Sequence, residues 1–404
     1  MQHKLWNKDF ILLLQGNAVS AVGDLLYSVA IGYWVYEKTG SSGLMGIMSS
    51  ISMFVTMLLS PFTGSIVDKC SRRFIIVGMD ALRGVIMLVL GAFLYMNTLT
   101  VPGVLLAALL ASLCSVFFSP AVSTLMIDLI PHDDMVRGQS IHSGITSLIN
   151  LVGKAFSGVL VAFLGVPLIV VLNGVCYLIS AVTEMFIRVP RTVQQGEQMT
   201  MKGVLTDFGK AIRSIFSNPC LKLFVPFALL LNLLCAGPMS LMLPFCMEKG
   251  FTMDMYGYLL SAEMAGSMIA VLTLGVVKLS PKIRFILMAA GFIGSQTLCI
   301  PAYLATSFLP MAVLLFFSSL LNAAGNAIFS AAMMLALPDE NRGAILGFVS
   351  AASMGGCALS AVIYGMLGDV FPLHLVFVAG CVLAAPFAIY LFCHRDVRAF
   401  ILTH

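Results

Sequence analysis

The sequence contains few charged residues: Asp, Glu, Lys and Arg make up only 10% of its 404 residues, whereas hydrophobic residues make up 60%. Long stretches lack charged residues altogether, among them 84–127, 155–183, 223–247, 285–338, 343–368 and 370–394. A soluble domain is apolar over about half of its composition, and a run of about 20 apolar residues can cross a bilayer as a helix. The scarcity of charge excludes a soluble domain and predicts an all-α integral membrane protein.

The short motifs of several enzyme classes are also absent. None of the ten cysteines forms a CxxC pair, and no HExxH motif occurs among the six histidines. Both Gly-Lys pairs, at 153–154 and 209–210, continue with Ala, so no ATP-binding loop is present. We therefore expect no metal, no cofactor and no enzymatic activity. An intramembrane enzyme or a non-transporting sensor is the alternative from another class of protein.

Splitting the apolar stretches at Pro, Gly and polar clusters predicts twelve membrane-spanning helices. With a cytoplasmic N-terminus, 18 of the 22 Lys and Arg residues fall on the inner side and two fall on the outer side. This asymmetry obeys the positive-inside rule and places both termini in the cytoplasm of a bacterium. It also attributes the net charge of +4 to membrane topology, so we expect no nucleic-acid partner. The predicted spans are 10–36, 43–67, 74–96, 102–127, 141–164, 167–188, 220–246, 255–278, 284–305, 310–337, 343–368 and 372–393.

The predicted spans fall into two halves of six, residues 1–188 and 220–404, joined by a polar linker at 189–219. Apolar residues recur at helical spacing between Met201 and Phe216, which predicts an amphipathic helix in the linker. A solvated linker helix is the alternative. The stretch "GSIVDKCSRRFII" at 64–76 aligns with "GVVKLSPKIRFIL" at 275–287, at the same inner loop of each half. Parallel six-helix halves are a transporter architecture.

The first of these stretches carries the pattern Gly-x-x-x-Asp-x-x-x-Arg-Arg, formed by Gly64, Asp68, Arg72 and Arg73. With it, the sequence resembles the major facilitator superfamily over its whole length. It looks closest to the macrolide-efflux-like branch through "GDLLYSVAIGYWVYEKTGS", "DALRGV", "LIPHDDMVRGQS" and "LNGVCYLISA". The resemblance implies a fold of two pseudo-symmetric six-helix bundles and transport by alternating access.

The same pattern implies a latch on the cytoplasmic side. Gly64 allows close helix approach, and Asp68 would accept hydrogen bonds from the N-terminus of the eleventh span, near Gly343. Arg72, followed by Arg73, would pair with Asp128 at the inner end of the fourth span. The alternative is a basic loop that serves only the topology.

Ionisable residues within spans are functional candidates because they are costly in a membrane. Asp24, Lys154 and Glu263 all lie roughly 20 Å from the cytoplasmic side. Lys154 stands in "GKAFSG", where the family's efflux motif has proline, and we interpret it as a partner of Glu263. Two separately satisfied groups are the alternative. We interpret Asp80 and Arg83, three residues apart, as a structural ion pair.

Polar residues at helical spacing indicate faces that could line a transport cavity. They occur on spans 1, 4, 7 and 10, the spans that line the cavity in the family. Ser and Asn can also hold helices together, so each single residue has that alternative role. The candidates, besides Asp24, are Asn17, Ser20, Ser28, Ser112, Ser115, Ser119, Asn232, Ser319, Asn322 and Asn326.

The function expected from these features is proton-coupled efflux of small amphipathic compounds, such as drugs or macrolides. Asp24 and Glu263 are the carboxyl groups that could bind and release the proton, with Lys154 beside them. The expected partners are the substrate, protons and the lipid bilayer of the plasma membrane, with the protein acting as a monomer. An uptake permease or a lipid flippase of the same fold is the nearest alternative.

Overall fold

The computed structural model describes residues 6–131, 134–188, 201–218, 221–277, 280–337, 342–395 and 398. Some side chains inside its helices also lie outside the described part. Every regular element within these ranges is helical. The first six helices are α1 (Lys8–Thr39), α2 (Ser42–Lys69), α3 (Arg72–Tyr95), α4 (Val101–Leu129), α5 (Met135–Leu164) and α6 (Val166–Glu184).

The remaining helices begin with α7 (Met201–Ser217), which lies in the predicted linker. The seventh predicted span consists of two helices, and the ninth contains a turn of π-helix at Ala290–Gly294. The helices after α7 are α8 (Leu221–Cys235), α9 (Gly237–Glu248), α10 (Met253–Val276), α11 (Pro281–Ala289), α12 (Ser295–Leu304), α13 (Phe308–Ala336), α14 (Arg342–Gly368) and α15 (Leu373–Cys393).

Eleven helical segments among the described residues are long and apolar enough to cross a membrane. They include α8 with α9 and α11 with α12, each pair as one segment. Helix α5 is not among the eleven, and several of its side chains lie outside the described part. It is nevertheless a continuous helix of 30 residues. The all-helical, multi-pass architecture predicted from the sequence is confirmed.

The break within the seventh span occurs where the sequence has Gly237 followed by Pro238. A Cβ atom at Gly237 would lie 2.3 Å from Cγ of Tyr364, so only glycine fits there. The Gly237 N–H donates instead to Oγ of Ser360 at 2.8 Å. Pro238 lies in the first turn of α9, where a residue needs no amide N–H donor. The break therefore leaves few backbone hydrogen-bonding groups unsatisfied.

The π-helical turn in the ninth span also occurs at a close approach of two backbones. A Cβ atom at Gly291 would lie 2.5 Å from Cα of Gly325 in α13 and 2.7 Å from the Leu321 carbonyl oxygen. A π-helical turn changes the helix locally and is common where side chains must be redirected. The sequence predicted an uninterrupted span here, because helical periodicity does not reveal a single wide turn.

The chain divides into two compact units. The first contains residues 1–39 and 51–200, and the second contains residues 40–50 and 201–404. Segment 40–50 joins the second unit through α14: the Asp369 carboxylate accepts hydrogen bonds from Gly43 N–H at 3.0 Å and from Ser41 Oγ at 2.8 Å. A division of the chain at the linker would give nearly the same two units, with segment 40–50 placed in the first unit instead of the second.

Each unit has its own apolar core. In the first, the core brings Phe10 and Leu13 of α1 together with Ile76 of α3 and Leu125 of α4, all with 2% or less of their surface exposed. In the second, phenyl rings dominate: Phe227 lies edge-on to Phe292 at 5.3 Å between centroids. Such edge-to-face pairs are favourable beyond the area that they bury. Further edge-on contacts join Phe224 to Phe329, Phe292 to Phe329 and Phe227 to Phe392.

Candidate transport site

The candidate face of α1 is built around Asp24, which is exposed although it lies in the middle of an apolar helix. Its Oδ1 atom accepts a hydrogen bond from the hydroxyl of Tyr177 in α6. Tyr177 itself is buried. The guanidinium carbon of Arg83 lies 5.2 Å from the centroid of the Tyr177 ring and 4.5 Å from that of Phe118. Asp24 thus connects an exposed surface with a buried aromatic and cationic environment.

The other predicted residues of the α1 face do not all share its exposure. Ser28 is exposed and donates to the Leu25 carbonyl at 2.8 Å, and Asn17 is half-buried. Ser20, in contrast, is buried, and its hydroxyl contacts the Gly16 carbonyl at 3.0 Å and Oδ2 of Asp80 at 3.2 Å. The expectation that Ser20 lines a cavity is therefore corrected: it lies in the contact between α1 and α3.

Asp80 and Arg83 lie close together on α3. Nη1 of Arg83 is 3.4 Å from Oδ1 of Asp80, and both side chains are buried. The structure adds a third charged residue that sequence reasoning missed, Glu184 of α6, which is also fully buried. It lies within the predicted span 167–188, near its end, and was not singled out there. The spacing of Asn173, Tyr177, Ser180 and Glu184, which places all four on one helical face, was the signal that could have revealed it.

Two of the three predicted serines of α4 donate hydrogen bonds within their own helix. Ser112 is buried and donates to the Ala108 carbonyl at 2.7 Å, and the exposed Ser115 donates to the Ala111 carbonyl at 3.0 Å. Ser119 is exposed, and its carbonyl accepts from Ser123 at 3.0 Å. A serine bonded to the preceding turn has little need of another helix. Ser115 and Ser119 are the exposed members of this predicted face.

In the second unit, Ser319 and Asn232 contact neighbouring helices, whereas Asn322 and Asn326 contact each other within α13. Ser319 of α13 donates to the backbone carbonyl of Glu263 in α10 and lies 2.8 Å from Oγ of Ser267. Asn232 of α8 donates to the Ala228 carbonyl and accepts from the Cys357 thiol at 3.4 Å. The exposed Asn326 donates to Oδ1 of Asn322 at 2.9 Å. Glu263 is half-buried.

The predicted latch is described in part. Nη1 of Arg72 forms an ion pair with Oδ2 of Asp128, which joins the start of α3 to the end of α4. Arg73 is exposed. Gly64 lies in α2, but the side chain of Asp68 lies outside the described part, as does that of Lys154 in α5. The role of Asp68 and the pairing of Lys154 with Glu263 stay predictions.

The carboxyl groups of this site are not arranged as metal ligands. In the described ranges, no group of three or more His, Cys, Asp or Glu residues is placed to hold a metal ion. Asp24, Asp80 and Glu184 instead lie around one guanidinium and several hydroxyl groups. Such an arrangement can bind protons and donate hydrogen bonds.

The family model of the Major Facilitator Superfamily matches residues 13–275 and 227–399 of this sequence. The chain belongs to the major facilitator superfamily. Its membership agrees with the paired six-helix pattern predicted from the sequence and with the twelve predicted spans.

Similar curated proteins are named for efflux. Macrolide efflux protein A of Streptococcus pyogenes is 23% identical over 186 residues, 46% of each chain. A putative bacilysin exporter of Bacillus amyloliquefaciens is 30% identical over 215 residues, 51% of this chain and 50% of its own length. The chain thus spans about half the length of these two relatives. The multidrug efflux pump Tap of Mycobacterium bovis is 21% identical over 91% of this chain and 89% of its own.

Solved transporter structures share the fold. The inward-facing, unoccupied bacterial homologue of the human lysosomal transporter Spinster has a TM-score of 0.68 at 13% identity, covering 98% of this chain and 95% of its own. The nucleoside transporter NupG has a TM-score of 0.70 at 14% identity, covering 94% and 98%. At these identities the similarity shows the fold alone.

Proposed function

We propose that this protein exports small amphipathic compounds in exchange for protons. The observation that carries the proposal is Asp24, an exposed residue within an apolar span, whose carboxyl group accepts a hydrogen bond from the buried Tyr177 hydroxyl. An ionisable residue within a span is expensive and is by default functional. A carboxyl group with access to solvent can take up and release a proton, which an energy-coupled transporter requires.

The names of the relatives support export as the direction. One relative is named for macrolide efflux, one for bacilysin export and one for multidrug efflux. Amphipathic organic compounds are the substrate class common to such names. We further propose that the protein acts as a monomer in the bacterial cytoplasmic membrane, with both termini in the cytoplasm, because the positive-inside rule favours that orientation.

The test uses purified protein in liposomes with an acidic lumen. An exporter driven by protons should accumulate ethidium, a permanent cation, and chloramphenicol, which is neutral. We expect Asp24→Asn to abolish the accumulation of both probes while their binding persists. Asp254→Asn is the matched control, because Asp254 is an exposed carboxylate in the first turn of α10 and should have no role.

Each other outcome has a definite meaning. Loss of ethidium binding alone in Asp24→Asn would assign Asp24 to substrate recognition rather than to proton coupling. Unchanged accumulation of both probes would remove Asp24 from either role. A wild-type protein that accumulates neither probe in the acidic lumen, or that moves them only with the proton gradient reversed, would contradict proton-driven export and favour uptake.

A further inference from the structure

A second set of polar groups lies in the contact between α1, α3 and α6. Asp80 and Glu184 have no exposed surface, and Arg83 has only 3% of its surface exposed. Oγ of Ser20 donates to Asp80, and Oγ of Ser180 donates to Oε1 of Glu184 at 3.3 Å. These charges are therefore inside the unit, in contrast to the exposed Asp24.

Helix α1 is shaped to admit this cluster. A Cβ atom at Gly16 would lie 2.9 Å from both Oε1 of Glu184 and Oγ of Ser180, and one at Gly23 would lie 2.3 Å from Oδ1 of Asn173. Contacts shorter than 3.0 Å force a displacement. The two glycines therefore allow the polar face of α6 to pack directly against the backbone of α1. The contact between the two helices at these positions is polar rather than apolar.

The charges of the cluster do not balance. Two buried carboxyl groups, Asp80 and Glu184, interact with each other and with the single guanidinium of Arg83. Within the described part of the chain, Oε2 of Glu184 and the Nε and Nη2 atoms of Arg83 have no hydrogen-bond partner. An uncompensated charge in an apolar interior is strongly unfavourable. One proton on the carboxyl pair would remove the excess charge.

Neighbouring titratable groups do not supply a second cation. Those that face the cluster are Asp24 and Tyr27 from α1, Cys114 from α4, and Cys176 and Tyr177 from α6. Helix α5 also packs against α1 and α6, and the side chain of its Lys154 lies outside the described part. Among the described side chains facing the cluster, Arg83 is the one cation.

We propose that Asp80 and Glu184, arranged around Arg83, bind the coupling proton, with Glu184 as its carrier and Asp24 as the group that exchanges it with solvent. This inference rests on the proposed function and specifies the site of its proton. On α1, Asp24 marks the exposed end of the proposed proton site and Gly16 marks its buried end. These two residues are eight positions apart, which is about 12 Å along the helix. The hydroxyl groups of Ser20, Tyr177 and Ser180 lie within that interval.

The step itself is a simple proton transfer. A hydronium ion gives its proton to the Asp24 carboxylate and becomes water. The proton then passes to Glu184, which becomes a neutral carboxylic acid as Asp24 is ionised again. Release to the opposite side restores the Glu184 carboxylate. Protonation removes the charge of a buried carboxyl group whose Oε2 atom has no hydrogen-bond partner among the described residues.

The test reads proton binding and transport separately. A protonated carboxylic acid has its own carbonyl stretching band in the infrared spectrum, which needs no transport to be seen. In the wild-type protein we expect this band to be present at acidic pH and lost at alkaline pH. Glu184→Gln should lack the pH-sensitive component, and Asp254→Asn should retain it.

The same variants are then compared in liposomes, with ethidium as the probe. Glu184→Gln should lose accumulation driven by an acidic lumen but retain ethidium exchange across the membrane without a gradient. Glutamine can still accept the hydrogen bond from Ser180, so a merely structural role of Glu184 would leave accumulation unchanged, and that result would overturn the proposal. If Glu184→Gln fails to fold, the wild-type band decides: its absence at every pH would equally refute the site.

These readouts separate the two proposals. A wild-type protein that fails to accumulate ethidium refutes proton-driven export, whatever the infrared band shows. A wild-type protein that accumulates ethidium while Glu184→Gln does so equally well refutes the proton site alone.

Discussion

The two units assemble corresponding helices with different chemistry. In the first unit, α1, α3 and α6 meet around Asp80, Arg83 and Glu184. Counting six spans per half, their counterparts in the second unit are α8, α12 and α15. These three helices also pack together, but through neutral groups: Nε2 of Gln296 in α12 donates to the Cys235 thiol of α8 at 3.4 Å, and the Phe227 ring of α8 lies edge-on to the Phe392 ring of α15.

This difference shows that the fold does not need charge at the contact. The second unit fills the corresponding space with thiols, an amide and aromatic rings, and it too forms a compact helical unit. Buried ion pairs are weak contributors to stability, and replacement by apolar groups is often neutral. The comparison therefore supports the proposal that the charges of the first unit serve transport rather than packing.

The largest expected effect is the removal of the cation. Arg83→Met leaves Asp80 and Glu184 buried without their partner, so we expect a loss of about 3–5 kcal/mol in the free energy of unfolding. Acidification should recover part of the loss, because protonated carboxyl groups carry no charge. Thermal unfolding in detergent at two pH values measures both effects.

The matched control lies in the second unit. Gln296→Met removes one neutral hydrogen bond of an otherwise similar contact, and it should cost only about 1 kcal/mol, independently of pH. Equal, pH-independent losses in the free energy of unfolding for the two variants would show that the charged contact is an ordinary packing contact. That result would contradict the difference drawn between the two units.

A smaller effect is expected from enlarging the glycines at the two helix contacts. Gly291→Ala directs its new methyl group at the backbone of Gly325, which cannot move independently, so we expect a loss of about 1–3 kcal/mol. Gly16→Ala meets only the ends of the Glu184 and Ser180 side chains, which can shift.

We therefore expect Gly16→Ala to be the more stable of the two proteins, but the one with impaired proton-driven accumulation of ethidium. The measurements are thermal unfolding and transport in liposomes with an acidic lumen. The opposite order, with normal unfolding of Gly291→Ala and normal transport by Gly16→Ala, would contradict the roles assigned to the two contacts.

Much of the fold follows from the sequence because long apolar helices and the positions of cations are local features. The family pattern around Gly64 and Arg72 and a helix in the linker could both be recognised in one sequence. The π-helical turn at Ala290–Gly294 could not, because it depends on the approach of Gly325 from another helix.

The candidate site was predictable only in part, for the same reason. Asp24 and Arg83 attract attention because charges within spans are rare. The contact of Ser20 with Asp80 and the burial of Glu184 depend on which face of each helix meets its neighbour. Polar spacing alone cannot distinguish a face that lines a cavity from one that packs against another helix.

The most direct test of the account is to measure whether substrate movement drives proton movement. Liposomes that contain the purified protein and a pH-sensitive dye would be given an ethidium gradient, with no initial pH difference across the membrane. The account predicts proton flux opposite to ethidium flux in the wild-type protein, and ethidium exchange without proton flux in Glu184→Gln. Ethidium flux through the wild-type protein with no accompanying proton flux would contradict it.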